Sequence, residues 1–238
     1  MLIDRCPSGV PGFDALCNGG FVRNSVNAVL GGPGAGKTTF LLQYLWGGAT
    51  DYDEPGLYIS FEPDIIELFK DAASYGWDFQ KLDSRGKCKF MKVSPQTTVG
   101  ELRTELTKVI TKFGVKRICF DPVGLFGSME QNPSIIRQNM FELAALFKRL
   151  GVTVLLSDET ASQDTEGGVG VFAGTVQSQF IKFLTDSVVD LYSSGLGGVS
   201  DRALRIVKMR RTKHSLGPIP MEITDSGVVV YSKKGKGF

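Results

Sequence analysis

The sequence predicts an α/β fold in which a largely parallel central sheet is flanked by helices and continued by a C-terminal antiparallel extension. Short apolar runs alternate with segments of helical periodicity along most of the chain, as they do where helices cover both faces of a parallel sheet. A glycine-rich turn also joins the first strong apolar run to a helix, at residues 31–38. A chain of 238 residues with 42% hydrophobic content can form one such domain, which we place at residues 1–231.

The apolar runs and the periodic segments define the expected elements. We expect strands at residues 26–30, 56–61, 90–93, 117–120, 153–156 and 187–192. Helices are expected at residues 38–46, 64–75, 99–113 and 134–150. Apolar side chains in the last of these helices recur at intervals of three and four residues, which predicts a buried stripe. Residues 202–209 and 221–231 are expected to form the antiparallel extension.

Composition narrows the functional classes. The 27 basic and 25 acidic residues leave a net charge of +2, so bulk electrostatics does not indicate DNA binding. No apolar run approaches the roughly 20 residues of a membrane span. Residues 1–5 lack a signal-peptide pattern, so we expect a cytoplasmic protein. The four cysteines are far apart, which argues against a zinc site or redox pair, and the basic tail at residues 232–238 is expected to be disordered.

The most informative motif is the turn at residues 31–38, GGPGAGKT, which fits the phosphate-binding pattern GxxxxGK[ST]. Its glycines permit backbone conformations that point successive N–H groups at a phosphate beside a helix N-terminus. Lys37 would reach the β- and γ-phosphates, and the Thr38 hydroxyl would take a magnesium position. A chance glycine-rich turn is the alternative, but the strand, the spacing, the lysine and the threonine all favour a P-loop. The sequence therefore predicts binding of a nucleoside triphosphate.

Two acidic residues end predicted strands. Asp121 follows a buried strand and would hold magnesium through water; the alternative is a simple turn residue before Pro122. Glu62 follows another strand and would polarise a water against the γ-phosphate. The alternative for Glu62 is an acid in the first turn of the next helix, where it complements the helix dipole.

Several segments together resemble the KaiC-like branch of the RecA/RadA superfamily. They are PSGVPGFD (7–14), GGPGAGKTTF (31–40), SFEPDIIELFKDAASYGWDF (60–79), RICFDPVGLF (117–126) and KMRRTKHSLGPIPMEITDSGVVVY (208–231). The resemblance covers nearly the whole chain in the family's order, with one domain where KaiC has two in tandem. It implies a RecA-like P-loop NTPase fold, ATP and Mg2+ as ligands, and a homo-oligomer, such as a hexameric ring, with nucleotide held between neighbouring subunits.

The resemblance also implies roles for individual residues. Glu62 would be the catalytic base, with Lys37 and Arg210 also catalytic; Thr38 and Asp121 would be the magnesium positions, and Ser74 would lie near the nucleotide base. The phosphate loop would comprise Gly34, Ala35, Gly36, Lys37, Thr38 and Thr39. The face offered to the nucleotide of an adjacent subunit would comprise Lys208, Met209, Arg210, Thr212, His214, Thr224 and Asp225.

The residues of that second face support the same interpretation. Lys208 and Arg210 alternate on a predicted strand, so their side chains would project to one side. Two cations there could neutralise γ-phosphate charge across an interface, as an arginine finger does. From the charge pattern alone, a basic edge strand that discourages aggregation is the better interpretation, and the family motif reverses that preference. His214 is equally consistent with a local hydrogen-bonding residue.

The chain also departs from the family pattern. KaiC has two adjacent glutamates where this chain has Glu62 and Pro63, so we expect hydrolysis well below the roughly 10 s⁻¹ median of enzymes. Arg211 occupies a position usually taken by glycine. Residues 158–179 form a glycine-rich, acidic segment that contains no Lys or Arg; the next basic residue is Lys182. We interpret this segment as an ordering lid or a partner-binding segment rather than a DNA-gripping loop, with Ser157 and Glu159 placed to sense the γ-phosphate.

These observations predict an ATP-binding, slowly ATP-hydrolysing protein whose nucleotide-dependent assembly signals to a protein partner that the sequence does not name. The leading alternative is a RadA-paralogue accessory factor that binds DNA and modulates recombination or repair. A third candidate is a nucleotide-binding scaffold with little turnover.

Overall fold

A computed structural model describes residues 3–61, 64–94, 96–125, 132–159, 176–193 and 201–231. Glu62, Pro63, most of the glycine-rich segment and the basic tail at 232–238 lie outside the described residues. In the described part of the chain, no helix combines the length and the apolar composition needed to cross a membrane.

The strands are those of a RecA-like α/β domain, as predicted. A short ribbon, β1 (Arg5–Cys6) and β2 (Phe21–Val22), precedes the main sheet. The main sheet contains β3 (Val26–Gly31), β4 (Gly56–Ser60), β5 (Cys88–Lys92), β6 (Arg117–Asp121), β7 (Thr153–Glu159), β8 (Ser187–Ser193), β9 (Arg202–Met209), β10 (Ile219–Thr224) and β11 (Gly227–Val230). Its order is β11-β10-β9-β8-β3-β7-β6-β4-β5.

Strand direction divides the sheet into two parts. The strands from β8 to β5 are parallel, so their carboxyl ends meet at one edge, where ligands bind in such sheets. All six residues of β3 are buried, as expected for a strand covered on both faces. The strands β9, β10 and β11 are antiparallel to their neighbours and form the predicted extension. The segment predicted at 221–231 belongs to two strands, because the chain turns at Asp225 and Ser226.

Helices cover both faces of the sheet. They are α1 (Phe13–Leu16), α2 (Lys37–Asp51), α3 (Ile65–Ala73), α4 (Phe79–Ser84), α5 (Val99–Phe113), α6 (Pro133–Leu150) and α7 (Val176–Leu184), with a short 3-10 turn at Val123–Leu125. Residues of α2, α3 and α4 share one apolar core with the N-terminal segment, and residues of α5, α6 and α7 share the other. Sequence periodicity did not predict α1, α4 or α7, and α2 continues past its predicted end at residue 46.

A buried ionic cluster fixes the edge of the sheet opposite the strands' carboxyl ends. Arg117, at the start of β6, is fully buried and lies 2.6 Å from Glu54 Oε2. The same carboxylate lies 2.5 Å from the Arg23 guanidinium. Arg117 also donates to the carbonyl oxygens of Pro7 and Tyr44, and so ties the N-terminal segment and α2 to the sheet.

Candidate nucleotide-binding site

The predicted P-loop lies at the carboxyl end of β3 and leads directly into α2. Gly34 and Gly36 have φ angles of 69° and 98°, which favour glycine. A Cβ at Gly36 would also lie 2.9 Å from Ile223 Cδ1 of β10. At Gly32 and Gly34, in contrast, an added Cβ would meet no atom of the described residues within 4 Å. The loop therefore packs against β10 at Gly36. At Gly32 and Gly34 it is open, on the side where a phosphate would enter.

The Lys37 side chain folds back over this loop. Its Nζ donates to the carbonyl oxygens of Gly31 and Gly32, both at 2.9 Å. The ammonium also lies 3.9 Å from Glu159 Oε1 at the end of β7. Glu159 is thus close to the Lys37 ammonium, and its role in sensing a γ-phosphate stays a prediction.

Asp121 and Thr38 come together as the motif predicts. The Thr38 hydroxyl donates to Asp121 Oδ2 at 2.8 Å, and Asp121 is buried at the end of β6. The hydroxyls of Tyr58 and Ser157 also donate to this carboxylate. Burial, with the Asp121 charge as the next cause, raises the pKa of Tyr58 well above its ordinary value, so the phenol remains a donor.

These residues fit a magnesium ion. A carboxylate and a hydroxyl are hard oxygen donors of the kind that Mg2+ takes, and they adjoin the open side of the P-loop.

Two of the hydroxyls that donate to Asp121 differ in how the sequence predicted them. Ser157 was expected to sense phosphate, and its side chain instead contacts Asp121 and the Phe120 carbonyl. Tyr58 was missed, because only the pairing of β4 with β6 brings it to Asp121.

A second carboxylate lies at the same edge of the sheet. Asp158 is buried, and its Oδ1 occupies the space that a Cβ on Gly124 would need, 2.3 Å away. Burial raises the pKa of Asp158 to about 6; a hydrogen bond from the Glu159 backbone opposes the shift, Glu159 adds to it, and Lys37 opposes it more weakly. Asp158 is therefore a titrating group next to the P-loop.

Ser74, which was expected near the nucleotide base, and Thr224 and Asp225, which were expected on the second face, cluster beside the start of α2. Ser74 ends α3, is exposed and donates to the Asp71 carbonyl at 2.6 Å. The next residue, Tyr75, lies 3.5 Å from the Thr39 hydroxyl and packs on the Trp77 ring at 4.8 Å. A Cβ on Gly227, the first residue of β11, would lie 2.6 Å from the Trp77 ring, so Trp77 packs beside the end of the turn that follows Thr224. Ser74, Thr224 and Asp225 therefore lie on the P-loop edge of their own protomer.

Three other residues of the predicted second face, Lys208, Met209 and Arg210, lie at the opposite edge. Met209 pairs with Ser187, the first residue of β8, and Arg210 follows the end of β9. The seven residues of β8, at about 3.3 Å each, place that point roughly 20 Å from the P-loop edge. One protomer therefore does not present all seven predicted residues on one face, since Thr224 and Asp225 lie beside its own P-loop.

Local contacts occupy several of these side chains. The Thr212 hydroxyl accepts from Arg5 at 2.8 Å, and His214 Nδ1 lies 3.0 Å from the Ser215 carbonyl oxygen. The Lys208 ammonium donates to the Lys182 carbonyl at 2.5 Å. Burial, and then the nearby charge of Arg210, lower the pKa of Lys208. The charges of Lys208 and Arg210 are therefore close enough to interact, although Arg210 lies beyond the strand rather than within it; their action on a neighbour's γ-phosphate stays a prediction.

Arg202 is a residue that sequence reasoning missed. It begins β9, and its guanidinium donates to the Gly34 carbonyl in the P-loop. The antiparallel pairing of β9 with β8 brings this end of the strand to the P-loop edge. No local pattern marks it.

Comparison with known proteins gives concordant results. A protein-family model described as "ATPase: KaiC" matches residues 6–235. The circadian clock oscillator protein KaiC of Prochlorococcus marinus subsp. pastoris is 31% identical over 241 residues, which cover 98% of this chain and 46% of that protein. A UPF0273 protein of Aeropyrum pernix is 31% identical over 98% of this chain and 96% of its own length. The chain thus spans about half the length of the KaiC relatives.

A solved structure agrees with these matches. The crystal structure of a KaiC-like protein from the hyperthermophilic archaeon Pyrococcus horikoshii superposes with a TM-score of 0.81 at 30% sequence identity. The match covers 97% of this chain and 100% of that one.

Proposed function

The chain belongs to the family of KaiC-type ATPase domains, and on that premise we propose that it binds Mg-ATP, hydrolyses it slowly and assembles through the bound nucleotide. The proposed output is a conformational signal to a protein partner. The observation that carries the proposal is the joining of Thr38 to Asp121 at the open side of a P-loop that also holds Lys37.

Each group has a defined task in this proposal. The P-loop backbone and Lys37 bind the phosphates, and Thr38 and Asp121 would hold magnesium, whose charge would help to neutralise the phosphates. Tyr58 and Ser157 orient the Asp121 carboxylate through hydrogen bonds. Ser74, Thr224 and Asp225 are proposed to surround the nucleotide base of the same protomer. This assignment is supported by the position of these three residues, which cluster beside the start of α2.

The proposed catalytic base is Glu62, which follows β4 in the sequence by two residues. A single carboxylate at this position would orient the attacking water alone, and this is the reason for expecting slow turnover. Asp158 is a poorer candidate, because it is buried against Gly124.

Arg210 is proposed to act on the nucleotide of a neighbouring subunit. It lies roughly 20 Å from the P-loop edge of its own protomer, by the length of β8, so it has no access to its own phosphates. Lys208 adds a second cation beside it. The site would then be complete only in an assembly of two or more copies.

The deciding experiment is size-exclusion chromatography with light scattering, together with ATP turnover, in the absence of nucleotide, with Mg-ADP and with Mg-ATP. We expect Mg-ATP to raise the mass of the parent, turnover to rise with protein concentration, and Lys37→Ala to abolish both. Assembly without turnover would favour the scaffold. The KaiC match and the near-neutral charge do not favour the DNA-binding alternative.

A further inference from the structure

In the described part of the chain, Arg210 contacts one acidic residue of its own protomer, Asp186. Its guanidinium Nη1 lies 3.6 Å from Asp186 Oδ1, and its backbone N–H donates to the Asp186 carbonyl at 2.9 Å. The side-chain distance exceeds that of a good hydrogen bond. The Arg210 side chain is also 57% exposed, whereas Asp186 is buried. The backbone hydrogen bond therefore fixes the main chain at Arg210, whereas the ionic contact restrains its side chain only weakly.

Asp186 has closer partners than Arg210. Its Oδ2 accepts from the Val26 backbone N–H at 3.1 Å, and its own N–H donates to the Val26 carbonyl at 2.6 Å. The Lys148 ammonium, at the end of α6, lies 2.9 Å from Oδ2. Asp186 is thus fixed to the first residue of β3, and its charge is partly neutralised by Lys148. Its attraction for the Arg210 guanidinium is therefore weak.

We propose that Asp186 is a positioning residue that restrains Arg210 in the free protomer and releases it when the phosphates of a neighbour's nucleotide compete for it. The inference rests on the proposed function, in which Arg210 acts across an interface. Among the described residues, Asp186 is the carboxylate whose charge acts on both Lys208 and Arg210, and a triphosphate offers them more negative charge than Asp186 does. Because an exposed ion pair contributes at most about 1 kcal/mol, Asp186 would weaken productive assembly by up to roughly fivefold.

The test measures specific ATPase activity against protein concentration at saturating Mg-ATP. Asp186→Asn keeps the side-chain shape and can still accept from the Val26 N–H, but it removes the charge. We expect this variant to reach half-maximal specific activity at a lower protein concentration, by up to roughly fivefold, with an unchanged maximum. Lys148→Met leaves Asp186 without its closer cation, so half-maximal activity should require a higher concentration.

The control is the same pair of changes in an Arg210→Ala background. Because Asp186 is proposed to act through Arg210, neither change should then shift the concentration dependence, whereas a general effect on folding would persist. An unchanged midpoint in Asp186→Asn, or an equal shift in the Arg210→Ala background, would overturn the inference.

Two outcomes separate this inference from the function on which it rests. If Arg210→Ala turns over as fast as the parent at every concentration, the shared-site function itself is wrong. If Arg210→Ala is slow but Asp186→Asn matches the parent, only the restraint is wrong. Should Asp186→Asn not fold, Lys148→Met and Lys148→Gln carry the test, and a midpoint equal to the parent's in both would overturn the inference.

Discussion

Thr38 and Asp121, which are 83 residues apart in the chain, are joined by a hydrogen bond of 2.8 Å where α2 begins and β6 ends. The sequence motifs assign each residue to magnesium separately, and the fold brings them to one point. The predictions below test the site built around this contact and the framework that supports it.

Lys37→Ala should remove the stabilisation that Mg-ATP gives. A ligand that binds only the native state stabilises it by mass action, by about 2.7 kcal/mol at a hundred times the Kd. Thermal unfolding with and without Mg-ATP measures the effect. Lys70→Ala is the matched control, since Lys70 is an exposed lysine on α3 that pairs with Glu67 of the same helix. Equal shifts in both variants would contradict the P-loop assignment.

Arg210→Ala should lower turnover while leaving nucleotide binding by an isolated subunit nearly intact, because the arginine serves another subunit. Mixing it with Lys37→Ala, under conditions that allow subunits to exchange, should create interfaces with one intact P-loop and one intact arginine. Activity of the mixture above the sum of its components is the expected result. Arg205→Ala, on an exposed position of β9, should behave as the parent in the same mixing experiment.

Glu62→Gln should trap ATP in the assembled state with little loss of affinity, since the amide keeps the side-chain shape but cannot act as a base. Single-turnover hydrolysis of labelled ATP, beside an equilibrium measurement of ATP binding, separates the two effects. A variant as fast as the parent would show that Glu62 is only a helix-start acid.

Asp158→Asn should change how the free energy of unfolding depends on pH. Burial raises the Asp158 pKa from 3.8 to about 6, so the folded state binds the proton more tightly than the unfolded state does. The stability that this proton confers is complete below pH 4 and is lost as the pH rises through 6. Between pH 4.5 and 7.5 the parent should lose about 2 kcal/mol relative to the variant, at 1.36 kcal/mol per pKa unit.

Urea denaturation of both proteins at the two pH values, without nucleotide, measures this difference. The comparison cancels the contributions of the other carboxyl groups. A constant difference between parent and variant across this range would show that Asp158 does not titrate there.

Gly48→Ala should destabilise the fold by about 1–3 kcal/mol, because the interior offers no room for the added methyl. Its Cβ would lie 2.4 Å from Cδ and 2.5 Å from Nε of the buried Arg117. Gly100→Ala is the control, since Gly100 lies in α5 and an added Cβ there would have no atom of the described chain within 4 Å. That change should be neutral or slightly stabilising. Chemical denaturation of the two variants gives the comparison, and equal stabilities would contradict the close packing at Gly48.

Elements with strong local signals were predictable. The helix expected at 99–113 has those bounds because Thr98 and Glu101 form a capping box at its start and Gly114 caps its end. The end of α2 was not predictable in this way. Gly47 and Gly48 lower helix propensity, but the helix continues because Gly9 and Arg117 pack closely against them. Those contacts depend on distant parts of the chain.

Some residues of the candidate site could likewise be predicted from local sequence, and others could not. Lys37, Thr38 and Asp121 follow from motifs, whereas Tyr58 and Arg202 depend on strand order and direction, which no local pattern encodes. The usual glycine has a physical reason at one position where this chain departs from the family pattern. The backbone at Arg211 has a φ of 59°, in the left-handed region that favours glycine.

The reversal of direction between β8 and β9 gives each protomer a polarity. One edge of the sheet carries the P-loop and the other carries Arg210, so a contact in which one copy's arginine serves the next copy's nucleotide is head-to-tail. Such a contact leaves an unused edge at both ends of any open chain of copies, and only closure removes both. The number of copies would then follow from the rotation that relates adjacent protomers, and a single substitution that altered this rotation could convert a closed ring into an extending filament.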